Sequence, residues 1–197
     1  MKTLVAAVAL AGLLVAASPA QANSIIQGQV GGFVQIQSFL PGQSFHAEDA
    51  HILSIGFWIR DMNPVVDDHD VDILLYQGLG SGGALLGSGT YSSIPTGFEG
   101  WVDVPFSSVT LVPGAVYSAF IADASPRWGV SLVSIFTAGD PYAGGTAILN
   151  GKANDFTDLT FRVLAPEAAV PEPGSLGLVL LGTLALVGHT RRRLGQA

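Results

Sequence analysis

The run from His51 to Arg60, HILSIGFWIR, places Leu53, Ile55, Phe57 and Ile59 at every second position, with Ser54, Gly56, Trp58 and Arg60 between them. A period of two puts one set on each face of an extended strand. The 100° step of a helix would scatter the same residues around its circumference. The pattern returns in VDILLY, where Val71, Ile73 and Leu75 alternate with Asp72 and Leu74. In WVDVPF, Val102, Val104 and Phe106 oppose Trp101 and Asp103, and AVYSAFIA, WGVSLVSIF and DLTFRVL behave similarly. Glycine, proline and asparagine punctuate the intervals, and no long helical period lies between residues 24 and 164. Many short strands separated by turn signals predict an all-β, antiparallel β-sandwich of jelly-roll type over residues 23–164.

Both ends differ from this body. The start, MKTLVAAVALAGLLVAASPAQANS, has a basic Lys2, an apolar stretch from Leu4 to Ala17 and small residues at Ala20 and Ala22. That order predicts a signal peptide over residues 1–22, cleaved before Asn23. At the other end, LAPEAAVPEP leads into an apolar run from Leu176 to Val187, followed by Arg191, Arg192 and Arg193. The 15 residues from Gly174 to Gly188 would span roughly 22 Å as a helix, short of a hydrocarbon core of about 30 Å. Prolines before the run and arginines after it predict a stop-transfer segment, with the arginines left on the cytoplasmic side.

This tail resembles the PEP-CTERM sorting signal of Gram-negative bacteria. The matching residues are Val170, Pro171, Glu172 and Pro173, then the Leu/Gly/Val run, then the arginine cluster. The resemblance implies recognition by an exosortase, a membrane-embedded transpeptidase-like enzyme, with cleavage near the Pro-Glu-Pro. The product would be released to, or attached at, the cell surface or an exopolysaccharide matrix. The chain then divides into a signal peptide (1–22), a β-sandwich (23–164), a Pro/Ala-rich linker with the motif (165–173) and a sorting helix with its basic tail (174–197). The body is also similar, in the order of LSIGFWI, DVDILLYQGLGSGGALLG, GWVDVPF, LVPGAVYSAFIAD and DFTDLTFRV, to secreted bacterial β-sandwich modules that precede surface anchors, modules that look like carbohydrate-binding jelly rolls.

Charge narrows the partners. Of eight Lys and Arg residues, Lys2 and the three terminal arginines belong to the end segments. Arg60, Arg127, Lys152 and Arg162 remain against all fifteen acids, a balance of −11. Such a chain repels nucleic acid and anionic lipid headgroups, and suits cations or neutral polymers. With no cysteine, disulfides, thiolate metal sites and cysteine catalysis are excluded.

Several constellations invite chemistry. Gly78, Gly80 and Gly83 satisfy G-x-G-x-x-G after VDILLY, but a dinucleotide site needs a helix next. The following ALLGSGTYSSIP, with Gly87, Gly89 and Pro95, reads as loop and strand. Asp67, Asp68, His69, Asp70 and Asp72 gather carboxylates that suit Ca²⁺, without the EF-hand pattern; the alternative is a solvated acidic loop. His46, Glu48, Asp49 and His51 lack the spacing of a zinc site. Neither a nucleophile elbow nor a selectable carboxylate pair appears, so the expectation is a protein without catalytic activity or a required cofactor. Trp58, Trp101 and Trp128 are the candidates for stacking on a sugar ring. The competing expectation is that they cover the core.

Overall fold

Alternating β-branched and aromatic residues at pleat spacing become strands because each apolar stripe needs a second surface to bury against. The computed structural model describes residues 23–123 and 125–166, which fall within one compact unit, Ala22–Pro166. Thirteen strands are present among them: β1 (Ile25–Gln27), β2 (Gly32–Gln35), β3 (Gly42–His46), β4 (Ser54–Asp61), β5 (Val71–Gln77), β6 (Leu85–Tyr91), β7 (Glu99–Pro105), β8 (Val116–Ala122), β9 (Trp128–Ser134), β10 (Ala147–Leu149), β11 (Lys152–Asn154), β12 (Thr157–Leu159) and β13 (Phe161–Leu164). Two single helical turns interrupt them, α1 (Ile36–Phe39) and α2 (Ile135–Ala138). Among the described residues no helix is long and apolar enough to cross a membrane.

All pairings are antiparallel. One sheet runs β1-β13-β4-β9-β12, with β2 added beside β9 and β7 beside β4; the other runs β11-β10-β3-β8-β5-β6. Ile55, Phe57 and Ile59 from β4, Val102 and Val104 from β7, and Phe161 and Val163 from β13 point into one hydrophobic cluster. Phe45 from β3, Ile73 and Leu75 from β5, and Ala119 and Ile121 from β8 meet them there from the other sheet. The expected all-β, antiparallel architecture is therefore present.

Two details depart from the alternation. Leu53 precedes β4 and is largely exposed, so the inner stripe begins at Ile55. Strand β8 is buried at five consecutive positions, Tyr117–Ile121. It is flanked by β3 and β5, and Phe120 packs edge-on against Tyr76 at 5.8 Å on the outward side.

One polar group bridges the sheets inside. Asp158 of β12 accepts a hydrogen bond from Gln43 Nε2 of β3 at 2.9 Å, and Gln43 Oε1 accepts from Leu159 N at 2.8 Å. Gln43 thus has a partner on each side, as a buried amide requires. Burial raises the Asp158 carboxyl to about 6, assisted by the Asp140 carboxylate and opposed by the Gln43 hydrogen bond.

Candidate functional site

The outer face of the first sheet collects the first candidates. Strand β4 pairs with β7 so that Trp58 lies opposite Trp101, Arg60 opposite Glu99 and Gly56 opposite Asp103. On its other edge Gly56 lies opposite Arg162 of β13. A Cβ at residue 56 would come within 2.2 Å of Asp103 Oδ1. The missing side chain is what lets Arg162 reach across β4 to Asp103. Arg162 Nε donates to Asp103 Oδ1 at 2.7 Å and its Nη2 to Oδ2.

Trp58 and Trp101 are both half-buried and share this face, their ring centroids 5.6 Å apart and their planes at 85°. The Arg162 guanidinium stacks on Trp101 at 4.3 Å, and that of Arg60 on Phe33 at 4.0 Å. Arg60 Nε also donates to Glu99 Oε2 at 2.8 Å, which holds the Glu99 carboxyl below its usual range. The result is an aromatic patch rimmed by two ion pairs. Its indoles stand perpendicular, so a sugar ring could lie flat on one of them at a time.

Trp128 does not belong to this patch. It is fully buried in the shared core, because it has the parity of Val130, which pairs with the inward Ile59. Its indole therefore presents no face to solvent.

The acidic run is organised by a residue that sequence reasoning passed over. Arg127 is 1% exposed. Its Nη2 donates to Asp61 Oδ2 at 2.9 Å and to Thr96 Oγ1 at 3.0 Å. Its Nε donates to the same carboxylate oxygen at 3.2 Å. Nη1 donates to the carbonyls of Val66 at 2.9 Å and Asp68 at 2.8 Å, tying the loop before β5 to the start of β9. Burial of Asp61 acts to raise its pKa. Hydrogen bonds from Gly97 N and Arg127, with the Arg127 charge, overcome this and leave it lowered. Nothing local marks it out: Arg127 directly precedes Trp128, over whose ring it lies at 4.7 Å.

With the loop so fixed, the carboxylates face local partners. Asp67 Oδ1 lies 3.2 Å from His69 Nε2. Asp68 Oδ1 accepts from Asp70 N at 3.2 Å, and Asp70 Oδ1 from Ser93 N at 3.2 Å. Asp72 Oδ1 accepts from Thr90 Oγ1. No group of three or more His, Asp or Glu side chains among the described residues is placed to hold a metal ion. Burial raises Asp123 to about 6, and the nearby Asp68 and Asp72 charges add to that rise. His46 and His51 remain apart in their bonding: His46 Nδ1 contacts Gly114 O at 3.1 Å, and His51 N donates to Asp49 Oδ1 at 2.9 Å.

The glycine run is a hairpin loop between β5 and β6, as expected. Gly78 and Gly80 adopt φ of 84° and 83°, a region that disfavours side chains. Gly80 N donates to Ser118 Oγ, which in turn donates to Gly78 O at 2.8 Å. Beside this loop, on the outer face of the second sheet, Leu40, Leu74, Tyr76, Ser81 and Phe120 line a groove of about 200 Å³. The processing motif Val170, Pro171, Glu172 and Pro173, the stop-transfer arginines 191–193 and the signal peptide lie outside the described residues.

The chain matches no family model and no curated protein. Solved structures similar to it include the cysteine protease and lectin-like domains of Cwp84, a surface layer associated protein of Clostridium difficile, at 11% identity and a TM-score of 0.46. That alignment covers 74% of this chain and 36% of the other, so the chain spans little more than a third of that protein's solved length. The family 11 carbohydrate-binding module from Clostridium thermocellum, solved with a β-1,3-1,4-mixed-linked tetrasaccharide, is similar at 13% identity over 75% of this chain and 85% of that one, with a TM-score of 0.32. The VP2 subviral particle of infectious bursal disease virus is similar at 13% identity over 75% and 38%, with a TM-score of 0.30.

Proposed function

We propose that this chain is an exported, non-catalytic protein of the bacterial envelope or extracellular matrix, with a jelly-roll-like β-sandwich as its body and an exosortase-processed C-terminal tail. One observation carries the reading: Val170-Pro171-Glu172-Pro173, a short apolar run and Arg191-Arg192-Arg193 follow one another in that order. A proline-rich segment is stiff and extended, which presents it to a processing enzyme at the membrane surface. The short apolar run holds the precursor meanwhile, and the arginines keep it from being drawn through. The acidic balance of the body and its lack of cysteine suit a surface protein that folds without disulfides. Mass spectrometry of the cell-surface fraction tests it. Mature protein should begin at Asn23 and lack the arginine cluster. Surface protein still carrying HTRRRLGQA would make the tail a permanent anchor and end the sorting reading.

Carbohydrate binding is the second reading. Trp58 and Trp101 share one face, beside the Arg60–Glu99 and Arg162–Asp103 pairs. Indole faces match the apolar C–H face of a sugar, and the ion pairs offer donors and acceptors for its hydroxyls. Retardation of the protein in gels containing exopolysaccharide, lost in a Trp58→Ala/Trp101→Ala variant, would support it. Equal retardation of both proteins would remove this face from consideration.

A further inference from the structure

A second aromatic pair stands apart from the tryptophans. Phe136 of α2 and Phe156 of the turn between β11 and β12 are 79% and 55% exposed. Their rings are nearly parallel, with centroids 5.5 Å apart and planes at 18°. Solvent-facing phenylalanines gain nothing by exposure to water, yet both are held in place by the backbone. Ser134 Oγ accepts from Phe136 N at 3.3 Å, and Asn154 Oδ1 accepts from Phe156 N at 3.1 Å. Ile135 N donates to Phe156 O at 3.0 Å, joining the two turns.

Next to Phe156 a depression of about 260 Å³ is lined by Leu149, Lys152, Ala153, Asn154 and Asp155. It lies where the β10–β11 hairpin of one sheet approaches the edge strand β12 of the other. Lys152 and Asp155 enter no ion pair among the described residues, which leaves an ammonium and a carboxylate to bond a ligand.

We propose that Phe136 and Phe156, with Lys152, Asn154 and Asp155, form a binding site for a neutral polysaccharide. The two rings stack on each other, so the outer face of the pair is offered to the C–H face of a sugar, and the turns that fix both backbones leave less ordering for binding to impose. The adjacent amide, carboxylate and ammonium match hydroxyls, which both donate and accept. The depression is smaller than the roughly 300–1,000 Å³ typical of small-molecule pockets. It holds one ring while the rest of a polymer lies along the surface. The acidic balance of the chain selects against an anionic polymer. The site goes beyond the export reading and is separate from the tryptophan face.

Affinity electrophoresis of the full chain in detergent, with dextran, laminarin and a mixed-linkage β-glucan as neutral polymers and alginate as an acidic one, tests the proposal. At least one neutral polymer should retard the chain, and alginate should not. Phe136→Ala and Phe156→Ala should each weaken that retardation about three- to tenfold. Both side chains are exposed, so the variants should unfold at the same urea concentration as the parent. Failure of every neutral polymer to bind, or binding unaltered by the double variant, overturns the site. Binding lost only in Trp58→Ala/Trp101→Ala would uphold the tryptophan face while overturning this one. Loss of self-association in the double variant without any effect of glycan would make the pair a contact between copies of the chain, which also overturns it.

Discussion

Replacing Arg127 by alanine tests the buried ion pair that ties the loop before β5 to β9. The guanidinium is 1% exposed and its partner carboxylate, Asp61, is fully buried. Removing the cation leaves Asp61 with hydrogen bonds from Gly97 N at 2.8 Å and Asn63 N at 3.1 Å, and no opposing charge. Breaking a buried pair from one side costs about 3–5 kcal/mol. The carbonyls of Val66 and Asp68 also lose a donor, but both residues are partly exposed and water can replace it. With a urea m-value of about 2 kcal/mol per molar, a loss of about 4 kcal/mol lowers the unfolding midpoint by about 2 M. Trp128 lies directly beneath the guanidinium, so its fluorescence should report both the substitution and the unfolding. Arg127→Lys keeps a positive charge but not the fork that reaches Thr96 and both carbonyls. About half the loss should remain. The deficit must also depend on pH. In the parent the Asp61 pKa is lowered; in Arg127→Ala the uncompensated carboxylate is relieved by protonation, so the gap should narrow below about pH 4. A loss under about 1 kcal/mol at neutral pH, or a gap that does not narrow in acid, would refute the reasoning.

Other outcomes follow from the same geometry. Asp123 and Asp158 have folded pKa values of about 6 against an ordinary 3.8, so the folded state binds more protons between those values. Their contribution makes stability rise as pH falls from above 6 towards 4. The contribution of Asp61 is present above 3.8 and is lost below it, which places the maximum near about pH 4–5 in urea titrations. Asp158→Asn should add about 1–2 kcal/mol at pH 7 and little at pH 4.5; an equal gain at both would show that the carboxyl is not protonated by burial. Phe57→Ala should cost about 3–5 kcal/mol, while Ser54→Ala, on the opposite face of β4, should cost under about 0.5 kcal/mol; equal costs would reverse the faces. Gly83→Ala should disturb the β5–β6 hairpin, because its Cβ would lie 1.7 Å from Gln77 O, and amide exchange in that loop should rise; unchanged exchange would show the loop can yield without loss.

The strands and their inward residues were legible because alternation is a local property. Ile55, Phe57 and Ile59 must share a face whatever they meet, and the same logic put Trp58 opposite them. The glycine loop was legible too, since Gly87, Gly89 and Pro95 forbid the helix a nucleotide site needs. Tertiary structure decided what lies behind each face. Trp128 has the spacing of an outward residue in one register and of an inward one in the next. Only the pairing of β9 with β4 sends it into the core. Arg127 reads as an ordinary surface cation until Asp61, distant in sequence, is folded against it. The acidic run reads equally as a cation site or a solvated loop, and only folding shows that one oxygen of each carboxylate lies beside a neighbouring donor. Phe136 and Phe156 come together because β12 returns beside β9, and neither residue has a local partner to announce it. Strand direction is settled within a few residues, whereas burial, ion pairing and shared surface depend on which distant strand becomes the neighbour.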